Sequence, residues 1–268
     1  MISRMVRLAS LMRLIIPFCE RDLKRRYRGS ALGLGWSLLQ PLAMLAVYTF
    51  VFSVVFRARW GSTLIPEQNS IYFFSLNLFA GLLVVNQFSE SISRSPDLIV
   101  NNANYVKKVI FPVEILSISV VSSATINAMA GMLILIVSSW MVTGFSLCAL
   151  WIPWVWLPLV LLSLGASWLV AAIGVYIRDL GQIVSLFISV LLFITPVFYP
   201  MTALPERWQA LLSINPLALI VEQTRSVVIS HQAPDSLYLL VAPLLAWFFA
   251  EVALRTFMRC KNGFADVL

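Results

Sequence analysis

The chain has 268 residues, of which 60% are hydrophobic and 12% charged. A soluble fold of this size could not hide that much apolar surface, and a mean hydropathy of +0.89 places the chain among integral membrane proteins. The same figures exclude a disordered chain, a coiled coil and a disulfide-rich scaffold. Three widely spaced cysteines, Cys19, Cys148 and Cys260, give neither a disulfide framework nor metal-ligand spacing.

Residues 1–16 start basic, but Arg7 and Arg13 interrupt the apolar run and no small-residue cleavage site follows. The segment is expected to stay in the mature protein. Residues 11–28 combine Leu11, Leu14, Ile15, Phe18, Leu23 and Tyr27 with a dense basic face. Pro17 is expected to break or kink this run near its start. The part after it reads as an amphipathic helix in the headgroup layer. Anchoring to anionic lipid and docking of a cytoplasmic partner both fit it. A membrane surface accounts for the charge, so no nucleic-acid partner is expected.

A helix needs roughly 20 apolar residues to cross a bilayer core. Five uncharged stretches meet or approach this length: Gly33–Phe56, Ile71–Ser89, Ile115–Thr143, Trp151–Ile177 and Leu180–Pro205. A sixth runs from Leu237 to about Phe257, with Glu251 and Arg255 near its end as an internal pair. Trp208–Val221, broken by Asn215-Pro216, is short for a span and suits a re-entrant or interfacial insertion. The expectation is an all-α integral membrane protein of one domain, residues 1–268. Residues 1–32 would form a cytoplasmic amphipathic segment, 33–257 the membrane region with six transmembrane helices, and 258–268 a cytoplasmic tail.

Between the second and third stretches, Pro96 and Pro112 bracket a short amphipathic piece with Ile99, Val100, Tyr105, Val109 and Ile110. Its length and apolar face suggest a surface that touches something. Pro112 and Glu114 suit the start of the next helix, since proline is tolerated there and an acid complements the helix dipole.

Catalytic signatures are absent. No glycine is followed by lysine, so there is no phosphate-cradling G-x-x-x-x-G-K-[ST] loop. There is no G-x-S-x-G and no H-E-x-x-H, and the single histidine, His231, reads as a plain surface residue. The first five stretches carry no ionisable group at mid-membrane, against the habit of ion-coupled transporters. A membrane glycosyl- or acyltransferase would show membrane-proximal Asp/His clusters, and none occurs. Uphill transport would therefore draw its energy from another polypeptide. Asn86, Gln87 and Asn127 within or near the spans read as interhelical hydrogen-bonding groups.

The run from Arg21 to Arg28, followed by Ser30, Leu32-Gly33, Trp36 and Gln40-Pro41-Leu42, resembles the entry to the first span in permease subunits of bacterial polysaccharide ABC exporters. These are type-2 ABC permeases for O-antigen, capsule or teichoic acid chains. The similarity continues through Phe111-Pro112-Val113-Glu114, Thr195-Pro196-Val197-Phe198-Tyr199-Pro200 and Asn215-Pro216-Leu217. It implies a homodimer with a channel at its interface, in the bacterial inner membrane. It also implies two copies of a separate ATPase subunit that holds ATP-Mg, with no cofactor or catalytic residue in this chain. Lipid-linked polysaccharide would be the cargo, with membrane lipids around it; export of a drug or other small substrate is the alternative.

By the same resemblance, Arg21, Lys24, Asn104, Tyr105, Lys107 and Lys108 would contact the ATPase. Arg25 and Arg28 would meet lipid or the diphosphate of a lipid carrier. Tyr48, Phe52, Phe198 and Tyr199 are candidate channel-lining residues, or else packing aromatics. Short helices over Pro205–Ile229 would form an outer gate with Trp208, Asn215, Glu222 and Arg225. Glu222 and Arg225, three apart, read first as a solvated pair and alternatively as a gate-stabilising one.

Fifteen Lys/Arg fall on the side of the termini and four, Arg57, Arg59, Arg207 and Arg225, on the other. Cytoplasmic segments carry the basic excess, so both termini are predicted to be cytoplasmic. A phosphatase that is active only outside should be silent when fused after Leu268 and active when fused after Gln232. The reverse pattern would refute the orientation.

Overall fold

A computed structural model of the chain describes residues 15–22, 33–51, 67–107, 111–212 and 214–268. Every regular element among them is helical. We label them α1 (15–22), α2 (Trp36–Phe50), α3 (Glu67–Ser93), α4 (Ala103–Lys107), α5 (Glu114–Thr143), α6 (Ile152–Gly174), α7 (Leu180–Ile194), α8 (Glu206–Leu212), α9 (Pro216–Val228), α10 (Ser236–Cys260) and α11 (Phe264–Val267).

Four helical segments are long and apolar enough to cross a membrane: Tyr72–Ser93, Glu114–Thr143, Leu147–Gly174 and Ser236–Gly263. They fall on four of the six expected stretches. The other two stretches hold shorter apolar helices, α2 and α7, of 15 residues each. At 1.5 Å per residue these span about 22 Å. The fifth stretch is thus not one continuous helix to Pro205. The residue before a proline is pushed out of the α region by the ring, and Thr195, ahead of Pro196, is extended with ψ 134°. The chain then runs irregularly to a 3-10 turn at Met201–Ala203 and into α8.

Asn215-Pro216 acts as the sequence suggests. The Asn215 side chain accepts from the Leu217 amide at 3.0 Å and Pro216 occupies the first turn, so α8 and α9 are two short helices. The start of α5 at Glu114, behind Pro112, also matches expectation. Pro17, by contrast, lies inside the described helix α1 rather than ahead of it. Gly144 ends α5 with φ 94°, a conformation that favours glycine.

Three apolar clusters hold the bundle. One joins α3, α5, α6, α9 and α10 around Phe79, Leu135, Trp156, Leu159 and Ile220. A second lies at the end that carries the termini, with Ile99, Trp168, Phe257 and Phe264. The third packs Phe74, Leu78 and Leu82 of α3 on Val197, with Tyr48, Leu192 and Phe198 at its edge. α2 and α7 take little part: α2 buries none of its described residues, and α7 buries only Val184.

Two glycines set the approach of α6 to its neighbours. A Cβ on Gly165 would lie 2.7 Å from the Phe249 ring of α10. One on Gly174 would lie 2.1 Å from the Pro96 carbonyl oxygen, which is backbone and cannot swing away. Gly174→Ala is therefore expected to destabilise the protein by about 1–3 kcal/mol through overpacking. Gly181→Ala, where nothing lies within 4 Å, should be neutral or slightly stabilising. Thermal unfolding in detergent reads both, and equal melting temperatures would contradict the packing argument.

Candidate functional site

At the end of the bundle that bears the C-terminal segment, α1 docks on the segment joining α3 to α5. The rings of Phe18, Tyr105 and Phe111 form a triad with centroids 5.0 to 5.5 Å apart. Arg21 lies over the Phe18 ring at 4.4 Å and donates to the Tyr105 hydroxyl at 2.9 Å. Asp22 pairs with Arg94 just beyond α3 and accepts from Ser123 Oγ of α5 at 2.6 Å. A single short helix thus touches α4, α5 and the segment that joins α3 to α5.

Cys19 is buried beneath it, and desolvation, followed by the Asp22 carboxylate, pushes its thiol pKa up. A cleft of 490 Å³ opens beside α1, lined among others by Asp22, Glu90, Arg94 and Asn101. Below it, Lys261 pairs with Glu114 at 3.2 Å and the Tyr176 hydroxyl donates to the Cys260 carbonyl at 3.2 Å. These contacts tie the C-terminal segment to the same platform.

Of the residues expected to meet an ATPase, Arg21 and Tyr105 are brought together, and Asn104 is exposed on α4 beside them. Lys107 ends α4. Lys24, Lys108, Arg25, Arg28 and Phe52 lie outside the described residues. Asp22, Arg94 and Ser123 were not singled out in the sequence, because they come together only through the fold.

At the opposite end, Arg225 is not the solvated partner the sequence suggested: it is 3% exposed. Its Nε donates to the Asn77 carbonyl of α3 at 3.0 Å, its Nη2 to the Val197 carbonyl at 2.9 Å, and its Nη1 to Glu222 at 3.0 Å. The planar fork of the guanidinium can address three directions at once, which an ammonium cannot. Gly81 makes room for it, since a Cβ there would sit 3.1 Å from Nη2. The adjacent Thr224 accepts from Trp156 Nε1 at 3.1 Å. One turn of α9 therefore clamps α3, α6 and the irregular segment after α7.

Tyr48 and Phe198 meet in the third apolar cluster. Tyr199 points elsewhere: with Trp208 and Asn215 it lines a 560 Å³ cavity that Phe193 and Leu204 also border. Trp208 is 58% exposed, and the Asn215 amide donates to Thr195 Oγ1 at 3.3 Å. The four outer-gate candidates are thus divided between this cavity and the Arg225 clamp. His231 is not a plain surface residue: its Nε2 lies 2.8 Å from Thr143 Oγ1 and its backbone has φ 54°. It pins the turn after α9 to the end of α5.

A bundle of membrane-length helices, with a short helix docked at one end and paired short helices at the other, defines a polytopic all-helical membrane protein. The chain belongs to the ABC-2 type transporter family, whose model matches residues 14–229. It is 31% identical to the O-antigen export system permease protein RfbA of Myxococcus xanthus, over 94% of each chain. It is 28% identical to the protein of that name from Klebsiella pneumoniae, over 97% of each. The polysialic acid transport protein KpsM of Escherichia coli is 24% identical over 88% of this chain and 90% of its own length.

Two outcomes follow. Arg225→Met should lower stability by about 2 kcal/mol, because it strips buried carbonyls of their donor. Arg225→Lys should not restore it, whereas Glu222→Gln, at a side chain 37% exposed, should cost little. Thermal unfolding measures all three, and a lysine variant as stable as the parent would contradict the clamp. Separately, Tyr105→Ala should release α1 and speed maleimide labelling of Cys19, whose buried, protonated thiol reacts slowly when docked. An unchanged labelling rate would mean that α1 is held by other contacts.

Proposed function

We propose that the chain is the transmembrane subunit of an ATP-driven exporter that carries lipid-linked polysaccharide of the O-antigen kind across the bacterial inner membrane. The observation that carries this reading is similarity over nearly the whole chain to permeases named for O-antigen export and polysialic acid transport. In this reading six helices cross the membrane, α2 and α7 among them, and both termini are cytoplasmic. α8 and α9 form a re-entrant outer gate.

Two copies pair through α2 and α7, which present Leu42, Val47, Phe50, Ile183, Phe187 and Val190 outward. Helices that bury so little within one chain are suited to a face shared by two. The channel then runs between copies, with Tyr48 and Phe198 toward it and the vestibule of Tyr199 and Trp208 at its exit. Aromatic rings offer sugar C–H faces a surface without tight hydrogen bonds.

The platform of α1, α4 and the loop between α3 and α5 receives an ATPase subunit. In this reading Arg21, Asn104 and Tyr105 meet it, and the resemblance assigns Lys107, Lys108 and Lys24 to the same contact. Arg25 and Arg28 attract the carrier diphosphate or anionic headgroups. The chain supplies a path, and hydrolysis belongs to the partner.

Purified alone, the chain should hydrolyse no ATP. Purified with its ATPase subunit in nanodiscs, the complex should hydrolyse ATP faster when a lipid-linked glycan is added. Asn104→Arg should weaken co-purification of the ATPase. Stimulation by small amphiphilic drugs and not by the glycan would favour the small-substrate alternative. Hydrolysis by the lone chain would overturn the reading.

A further inference from the structure

We propose that a polar chamber between α2, α3 and α5 binds an uncharged, polyhydroxylated sugar unit of the cargo; this rests on the export reading above. The chamber has a volume of 470 Å³, in the range of small-ligand sites. Gln40, Tyr48, Asn86, Ser89, Glu90 and Asn127 contribute to its wall. Asn86 and Asn127 lie within membrane-length helices, where polar groups are costly and turn to the bundle interior or to a substrate path.

Helix-to-helix bonding explains only part of this set. Gln87, next to Asn86, spends its amide between helices: it donates to Thr125 Oγ1 at 3.0 Å and accepts from Ser163 Oγ at 3.1 Å. Asn86 lies about 100° around the helix from it and is exposed to the chamber. Among the described residues, neither Asn86 nor Gln40 makes a side-chain hydrogen bond. Ser89 Oγ is buried there without a partner.

The chemistry of the wall selects the ligand. Amides and a hydroxyl both donate and accept, which matches sugar hydroxyls. The Tyr48 ring offers an apolar face for pyranose C–H groups. Among the described residues, no lysine or arginine lines the chamber. The one carboxylate among the described residues of the wall, Glu90, accepts from Asn127 at 3.4 Å and lies 3.9 Å from Arg94, which sits outside the wall. Glu90 can accept from hydroxyls and would repel a phosphate. The carrier's diphosphate is thus directed elsewhere, and the chamber takes a neutral hexose unit.

The test uses the full complex in cells that make the glycan. A benzophenone amino acid replaces Asn86 or, as a control, Phe248, which is 63% exposed on α10. After irradiation, hexose-bearing adducts are expected at position 86 and not at 248. Asn86→Leu should reduce surface polysaccharide about tenfold, the size of one lost hydrogen bond, while ATPase co-purification is retained; Asn86→Gln should restore most of the export. Phospholipid adducts alone at position 86, or equal glycan labelling at both positions, would overturn the chamber while leaving the export reading intact. Surface polysaccharide that does not depend on this chain at all would overturn both.

Discussion

The guanidinium of Arg225 is the contact on which the end of the bundle away from α1 depends. A buried cation is tolerable only where its donors are satisfied, and here the acceptors belong to three separate parts of the chain. Two are backbone carbonyls. The Val197 carbonyl lies in a stretch where Pro196 prevents helix, so it has no helical partner to return to. The break after α7 and the buried arginine therefore need each other. The proline frees a carbonyl that the arginine satisfies, and the arginine adds a polar tie to a segment that Val197 already packs on α3. Gly81 completes the arrangement, because a Cβ there would press on both the guanidinium and Val197, at 3.1 and 3.2 Å.

The bundle divides its helices into two kinds. α3, α5, α6, α9 and α10 share a core in which Trp156, Gln87 and Tyr238 are all hydrogen-bonded across helices. In a bilayer, apolar burial between helices drives little association, so close packing and interhelical hydrogen bonds carry the cohesion. α2 and α7 are buried far less, α2 at none of its described residues and α7 only at Val184. Their outward apolar residues are no liability in lipid, yet α2 still packs on α3 and α5, and α7 on α3 and α6. Such helices are held by the core while contributing little to it, which under the export reading suits a face shared by two copies.

Much of this was legible in the sequence, and the reasons are local. Composition and run length mark the membrane helices because the bilayer sets a fixed length. Pro112 with Glu114, and Asn215-Pro216, mark helix starts because capping acts within one turn. What the sequence could not show depends on distant partners. Arg225 reads as half of an (i, i+3) pair with Glu222, a pair that does form. Its burial comes from carbonyls 148 and 28 residues away. Asn86 and Gln87 are adjacent amides with the same expected role, and only the rotation of α3 against α5 and α6 separates them. Asp22, Arg94 and Ser123 have no shared spacing. The fifth stretch misled by hydropathy, which does not register that Thr195 precedes a proline.

α3 connects these places. Just beyond its end at the platform, Arg94 pairs with Asp22 of α1. Further along, Glu90 and Asn86 face the chamber. At the far side, the Asn77 carbonyl receives Arg225. From Asn77 to Arg94 is about 25 Å at the rise of an α-helix, and no proline or glycine pair interrupts it. Gly81 is a single small residue in contact with the clamp and is not a hinge. A helix of this length moves largely as a rod, so a displacement of α1 that reaches α3 is not absorbed within that helix. Either the Asp22–Arg94 pair yields or α3 shifts against Arg225. Under the export reading the ATPase pulls on the platform, and the buried clamp is the element that resists. The stiffness of α3 and the strength of the Arg225 contacts together decide how much of that pull reaches the segment after α7.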